Sequence, residues 1–396
     1  MAKKTNESLS ALALRLASSG NPDAPFLLQQ AEGRMRLSTK VPTWASVAEL
    51  HYPHRLALEQ CSGEEAARYK ATVVGRLLAA GERNRMVDLT GGLGVDFSFV
   101  APLFKHATYV ERQTELCELA RHNLPLLGLP QAEVVCGDGV EYLQNMTDNE
   151  VDLIFLDPAR RDVAGRKTVL IEDCQPDVCA LRHTLLQRAR IVMIKLSPML
   201  DIAAAVRSLK CVAEVHVVAT GGECKDLLLV LTRQALQQGS QQPNIYAHEA
   251  TGRDFCFSTD DEANAIPAYA QHIGQYLYEP GPAVLKAGAF KSIATHFALQ
   301  KLHPNTHLYT TNERVENFPG RTFSVVQTLT FSKADLKTLR TKWPKANLSV
   351  RNFQATVDAL RKKLKIKDGG QFFIFATTMA DNQHLLIVCE KANEKK

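Results

Sequence analysis

Residues 86–96 read MVDLTGGLGVD: a short apolar run, Asp88, then Gly91, Gly92 and Gly94 before an apolar pattern resumes at Val95. Glycines between a strand and a helix let the backbone approach a ligand closely, and the first turn of the helix offers N–H groups that have no partner within it. The motif alone says nucleotide-like cofactor. A tight turn that merely needs glycine is the competing reading, and the weaker one for a triplet in this setting.

Outward from this turn the chain alternates short β-branched runs with helical patterns. The runs are Met86–Leu89, Ala107–Val110, Glu133–Val135, Leu153–Leu156, Ile191–Ile194, Val215–Val218 and Leu227–Leu231, and Leu116, Leu119, Ala120 and Leu127 are spaced as on one helix face. Repeated βαβ units imply an α/β fold with a mostly parallel, doubly wound sheet. Only residues 221–225 separate the last two runs, too few for a parallel crossover, so the seventh strand must run antiparallel. The acidic residues fall at strand ends. Glu111 closes the second strand, 23 positions after Asp88 and near the spacing at which a carboxylate meets a ribose. Asp138 follows the third strand in VVCGDG, where it reads either as an acceptor for an adenine amino group or as a turn aspartate between glycines. The fourth strand ends in Asp157-Pro158-Ala159-Arg160-Arg161. All these positions lie at carboxyl ends of strands, where open α/β sheets bind ligands.

This order of DLTGGLG, acidic second strand, Asp138, DPAR and closing hairpin resembles the class I S-adenosylmethionine-dependent methyltransferases, whose core is a Rossmann-like seven-stranded sheet. CSGEEAARYKA before the first strand and NFQATVDALRKKLKIKDGGQFFIFATT near the end extend the likeness to bacterial methyltransferases with a THUMP-like C-terminal domain. The resemblance implies S-adenosylmethionine as cofactor. It places Asp88, Thr90, Gly91, Gly92 and Gly94 along the methionine part, Glu111 at the ribose, Asp138 at the adenine, and Asp157 and Pro158 at the acceptor. Arg160 would hold a phosphate or stack through its guanidinium plane. Thr90 stands where the family usually has its first glycine, and Ala159-Arg160 replaces the Pro-aromatic pair of the amino-methylating members. THUMP domains are RNA-binding modules, so the resemblance also implies an RNA substrate, tRNA or rRNA, methylated on a base heteroatom.

The rest of the sequence fits this reading. With 396 residues, 45% apolar and 22% charged, the chain has the make-up of a globular protein of several domains, and no apolar run approaches the roughly 20 residues of a membrane span. Nine cysteines without a CxxC pair, and histidines without HExxH, point to reduced thiols and no metal site; a cytoplasmic location is expected. Residues 331–396 carry 14 Lys+Arg against 6 Asp+Glu, net +8, which leaves −3 on residues 1–330. Arg361, Lys362, Lys363, Lys365 and Lys367 cluster around one helical stripe of Val357, Leu360 and Leu364, a surface suited to phosphates. Four regions and one linker are expected: helices over 1–72 with a Pro-containing stretch around Trp44, a methyltransferase core over 73–236, the linker QALQQGSQQPN, an α+β region over 244–320 with a helix from Ala289 to Leu302, and a basic THUMP-like α+β end over 321–396.

Several finer expectations accompany these. Ser62, Arg68, Tyr69 and Lys70 lie one helix before the first strand and are candidates to close over the cofactor. Trp44, Tyr52 and His54 are candidates to stack a base, packing being the default for all seven. Cys174 and Cys179 lie nearest the DPAR loop as conceivable nucleophiles, and Cys179, in an apolar helical pattern, reads as packed core. Three rivals remain: a nicotinamide-dependent oxidoreductase, disfavoured by Phe97 at the third position of GxGxxG; a non-enzymatic RNA-binding protein on a methyltransferase scaffold; and a small-molecule methyltransferase.

Overall fold

The computed structural model describes residues 9–159, 170–238, 242–250 and 252–392. The chain divides into two compact units, residues 1–213 with 226–241, and residues 214–225 with 242–396.

The first unit opens with α1 (Leu9–Ser18), α2 (Ala24–Lys40), α3 (Pro42–Ser46), α4 (Arg55–Gln60) and α5 (Glu64–Leu77). Leu37, Trp44, Tyr52 and Leu58 from these helices and their connections form a core with Ala67 and Val95. The alternating pattern then appears as expected: β1 (Arg85–Asp88), α6 (Val95–Val100), β2 (His106–Glu111), α7 (Thr114–Leu126), β3 (Glu133–Cys136), α8 (Gly139–Asn145), β4 (Val151–Leu156), α9 (Val178–Arg188), β5 (Ala189–Leu196), α10 (Ile202–Leu209), β6 (Val212–Thr220), β7 (Glu223–Thr232) and α11 (Arg233–Gln238). Strands of this unit run in the order β3-β2-β1-β4-β5-β7. β1, β2, β3, β4 and β5 pair in parallel, and β7 pairs antiparallel to β5. The hairpin that the short 221–225 gap requires turns on Gly221 and Gly222, both at positive φ. This is the Rossmann-like class I arrangement. The strand order reverses beside β1, so the rim between β1 and β4 is the crevice where a ligand can sit. Below it Val73, Val74, Met86, Phe97, Tyr109, Phe155 and Met193 form a continuous apolar layer that fixes α5 and α6 against the sheet.

The second unit contains most of β6, then β8 (Asn244–Glu249), β9 (Phe255–Ser258), α12 (Thr259–Asn264), β10 (Tyr276–Pro280), α13 (Pro282–Ala287), α14 (Ser292–His296), β11 (Gln300–His303), β12 (Thr306–Thr311), β13 (Gly320–Leu329), α15 (Lys333–Lys342), β14 (Asn347–Arg351), α16 (Val357–Leu364), β15 (Phe372–Thr378) and β16 (His384–Lys391). The expected helix from Ala289 to Leu302 is a correction. Only residues 292–296 are helical there, because Ala298 takes a left-handed φ of 50° and the chain then enters β11. The last seven strands form one sheet, β11-β12-β10-β13-β16-β15-β14. One face packs Leu339, Trp343, Leu360 and Leu364 of α15, α16 and their exits against Ile374, Leu386 and Val388. The other joins Leu277, Leu302 and Leu308 to Phe323, Phe375 and Ile387.

That second layer draws on both β10–β12 and β13–β16. A fragment of residues 320–392 is therefore expected to expose Phe323, Phe375 and Ile387 and to aggregate. A well-dispersed amide NMR spectrum from that fragment would contradict this.

Candidate active site

Three local features build the crevice. The first is the glycine turn. Gly92 and Gly94 have φ of 57° and 85°, a region that suits glycine. Gly91 is demanded by space, since a Cβ there would lie 2.2 Å from the ring of Tyr109. The Tyr109 hydroxyl donates to the Gly92 carbonyl, which ties the turn to β2. Thr90, the departure from the family's usual glycine, has a function of its own: its Oγ1 accepts the Asp157 N–H at 2.6 Å, joining the end of β1 to the end of β4.

The second feature is the ring of carboxylates. Asp88 is buried at the end of β1 and accepts the Thr90 N–H at 2.9 Å. Burial pushes its carboxyl up to about 8, reinforced by Asp96, Asp157 and Glu111 against the pull of the Thr90 N–H. Glu111 accepts from Gly92 N at 2.9 Å and from Gln113 N at 2.8 Å, so it props the turn as well as facing the crevice. Asp138 caps α8, with Oδ1 taking both the Val140 and Glu141 N–H groups. It is thus the turn aspartate of the simpler reading, and it also lines the crevice.

The third feature went unassigned in the sequence. Lys70 is fully buried and donates to Ser62 Oγ at 2.9 Å, Asp96 Oδ1 at 2.7 Å and Asp226 Oδ2 at 2.5 Å. Lys195, at the end of β5, lies 2.5 Å from Asp157 Oδ2 and 3.5 Å from Asp96 Oδ2. Burial resists the charge on Asp96, yet Lys70 and Lys195 hold its carboxyl down at about 2. Burial likewise opposes the Lys195 ammonium, but Asp157, Asp96 and Asp226 outweigh it and keep that group well above the usual lysine range. The signal was present in the sequence: a lysine in the apolar strand ARIVMIKL and an aspartate opening the apolar run DLLLVL are charges that burial tolerates only in pairs.

Of these groups the glycine turn, Asp88, Thr90, Asp96, Glu111, Asp138, Asp157 and Lys195 line a cleft of about 590 Å³, with Pro53, His54, Cys61, Ser62, Ala159, Gln175 and Pro176 on its walls, while Lys70 and Asp226 lie behind it. Arg160, expected at the acceptor, lies outside the described residues, as does Arg161. Of the residues considered for stacking, Trp44 and Tyr52 take the default packed role, Trp44 donating to Ser98 Oγ at 3.1 Å, while His54 is exposed on the cleft wall. Ser62 and Lys70 belong to the ion lattice. Arg68 pairs instead with Glu64 outside it, and Tyr69 packs on the core below the sheet. Cys179 is buried, as read from the sequence, and so is Cys174.

The basic residues lie in the second unit. Leu360 and Leu364 of α16 point to the core, and Lys362, Lys363, Lys365 and Lys367 are exposed; Arg361 is partly covered and pairs with Asp368 at 2.8 Å. Among the described residues, no group of three or more His, Cys, Asp or Glu side chains could hold a metal, and no helix is long and apolar enough to cross a membrane.

The chain is 38% identical to a solved structure described as a "putative methyltransferase from Porphyromonas gingivalis W83", across 98% of this chain and 95% of that one, with a TM-score of 0.85. It belongs to that family, the S-adenosylmethionine-dependent methyltransferases with a THUMP-like C-terminal domain. In this methyltransferase residues 276–319 match a ferredoxin-like domain family and residues 320–391 a family described as THUMP domain-like. A shorter stretch of 102 residues is 33% identical to ribosomal RNA small subunit methyltransferase J of Acinetobacter baylyi, covering 23% of this chain and 38% of that protein, so the chain spans well under half of that relative's length.

S-adenosylmethionine fits the residues present. Five carboxylates line the cleft (Asp96, Glu111, Glu115, Asp138 and Asp157), with Asp88 beside them as a neutral acid below about pH 8, against the cationic Arg112 and Lys195, a setting that attracts a sulfonium and an ammonium and repels a pyrophosphate. Phe97, at the third position of the dinucleotide pattern, is buried edge-on to Tyr109, which also disfavours the nicotinamide rival.

Two outcomes follow. Gly91→Ala forces a Cβ into the Tyr109 ring and should cost about 2 kcal/mol of stability and at least about tenfold in S-adenosylmethionine affinity by calorimetry. Asp88 keeps its proton in the folded chain up to about pH 8, whereas the unfolded chain loses it near pH 4. Its favourable contribution is complete below pH 4 and is lost as pH rises towards 8. Asp88→Asn cannot ionise, so urea titrations should show its stability relative to wild type improving by about 2 kcal/mol between pH 6 and pH 8.

Proposed function

We propose that this methyltransferase acts in the cytoplasm on a base heteroatom of RNA, in tRNA or rRNA. The observation that carries the reading is Asp157, whose carboxylate stands on the cleft wall at the end of β4, with its backbone N–H bound to Thr90 and its side chain to Lys195. When bound, the donor supplies a methyl group on a positively charged sulfur, and the carbon–sulfur bonding pair returns to sulfur as the acceptor's electron pair bonds the methyl carbon.

The chain's own residues do the positioning, which is most of what such a reaction needs. The glycine turn and Glu111 shape the donor side. Asp157 accepts a hydrogen bond from the acceptor N–H or O–H through an oxygen that Lys195 does not occupy; Pro158, read from the sequence as a second group at the acceptor, is buried and is not among the residues lining the cleft. The proton that the acceptor gives up passes to the Asp157 carboxylate. A nucleobase is the part of RNA that can enter a carboxylate-lined cleft, because its phosphates would be repelled there. RNA as the substrate is supported by the THUMP domain-like match, by the partial likeness to a ribosomal RNA methyltransferase, and by the exposed lysines of α16 and its exit. Phosphate contacts of that kind position a nucleic acid without reading its sequence.

The test is mass spectrometry of nucleosides from purified tRNA and rRNA of wild-type and deletion strains. A methylated nucleoside should disappear in the deletion, return with the wild-type gene and stay absent with Asp157→Ala. Full restoration by Asp157→Ala would favour the non-enzymatic rival, and identical profiles in all strains would remove RNA as the substrate.

A further inference from the structure

We infer that Lys195 is a positioning residue for methyl transfer: its ammonium clamps Asp157 through Oδ2 and so presents the other carboxylate oxygen to the acceptor. The inference rests on the methyl-transfer reading of the cleft and concerns how Asp157 is held there.

The geometry is specific. Lys195 Nζ lies 2.5 Å from Asp157 Oδ2, and its second contact, Asp96 Oδ2 at 3.5 Å, draws it towards α6. Asp96 is itself fixed by Ser62 at 2.7 Å and by Lys70 at 2.7 Å, and Lys70 is anchored on Asp226 at 2.5 Å. Lys195 is therefore the last link of a chain running from α5 through α6 to the cleft wall. A lysine stem alone has several soft torsions; one gripped between two carboxylates does not.

The charged groups around Asp157 come from five elements: Asp88 from β1, Asp96 from α6, Lys195 from β5, Asp226 from β7 and, behind them, Lys70 from α5. Removal from water raises the Asp157 carboxyl above the usual range, Lys195 pulls it down, and Asp96 and Asp226 push it up. Lys195 is the one cation in direct contact with Asp157 among the described residues. Without it the carboxylates of Asp96 and Asp226 would act on Asp157 with no cation in contact with it, and the form able to accept a proton would exist only at higher pH.

The test has two arms. In the first, tritium transfer from labelled S-adenosylmethionine to total RNA from a deletion strain is followed from pH 5.5 to 9. At pH 6.5, Lys195→Met should lower kcat by about 30-fold. It should move the acidic limb of the rate profile up by about one pH unit and leave KM for the donor nearly unchanged. Lys195→Arg should restore the wild-type limb. A lower rate with an unmoved limb, or a loss confined to KM, would overturn the inference. Lys195→Gln, which keeps a hydrogen-bond donor without the charge, carries the same expectation should the Met variant fail to fold. The second arm needs no RNA. In protein labelled with 13C-aspartate, the Asp157 carboxyl resonance is assigned by its loss in Asp157→Asn. Its titration midpoint should rise in Lys195→Met or Lys195→Gln, and an unchanged midpoint would overturn the inference. If the wild-type enzyme labels no RNA, the RNA reading fails and the second arm alone decides the role of Lys195.

Discussion

Lys70 is a fully buried ammonium with three oxygens around it, from Ser62, Asp96 and Asp226. Removing one partner from such a group leaves an uncompensated charge, typically a loss of about 3–5 kcal/mol. The three oxygens come from different parts of the first unit: the approach to α5, the first turn of α6 and the start of β7. One side chain thus sets the distance between a helix before the sheet, the helix that follows the glycine turn and an antiparallel strand. The apolar layer under the sheet gives these elements most of their stability, but apolar contact has no direction; the ammonium supplies the direction. Asp96 hands the constraint on to Lys195 and so to the cleft.

The α/β core was legible because its signals are local. Apolar strands, glycine punctuation and a gap too short for a crossover each act over a few residues, and the parallel pairing of β1 to β5 and the antiparallel β7 followed from them. The 292–303 region misled because one alanine in a left-handed conformation ends a helix without any sequence mark. Within the site, the positions on the glycine turn and at strand ends were readable from spacing. Which carboxylate pairs with which lysine was not, since Lys70 and Asp226 are 156 positions apart and meet only through the fold. For Trp44 and Tyr52 an irregular, Pro-containing stretch left stacking open beside the default of packing. The folded chain buries that stretch, with Gln29 and Gln30 bonding the Tyr52 backbone.

Charge is distributed by task along the chain. The whole protein is formally +5, yet the ionisable groups lining the cleft are mainly acidic. A cationic cofactor and the polyanionic substrate proposed above make opposite demands, and in that proposal different residues meet them: the acidic strand ends in the first unit, and the exposed lysines of α16 and its exit in the second. Salt should therefore weaken contacts to phosphates far more than it weakens the pairs buried around Lys70.

The sheet from β10 to β16 bears on ancestry. The two segments that match separate families, 276–319 and 320–391, meet between β10 and β13, which pair along five residues from Tyr276–Ser324 to Pro280–Gly320. A recombination event that separated them would leave each half with an open row of backbone groups and half of a shared apolar layer. The two pieces are thus bound to travel through a lineage as one heritable block, however distinct they look when each is compared with other proteins alone.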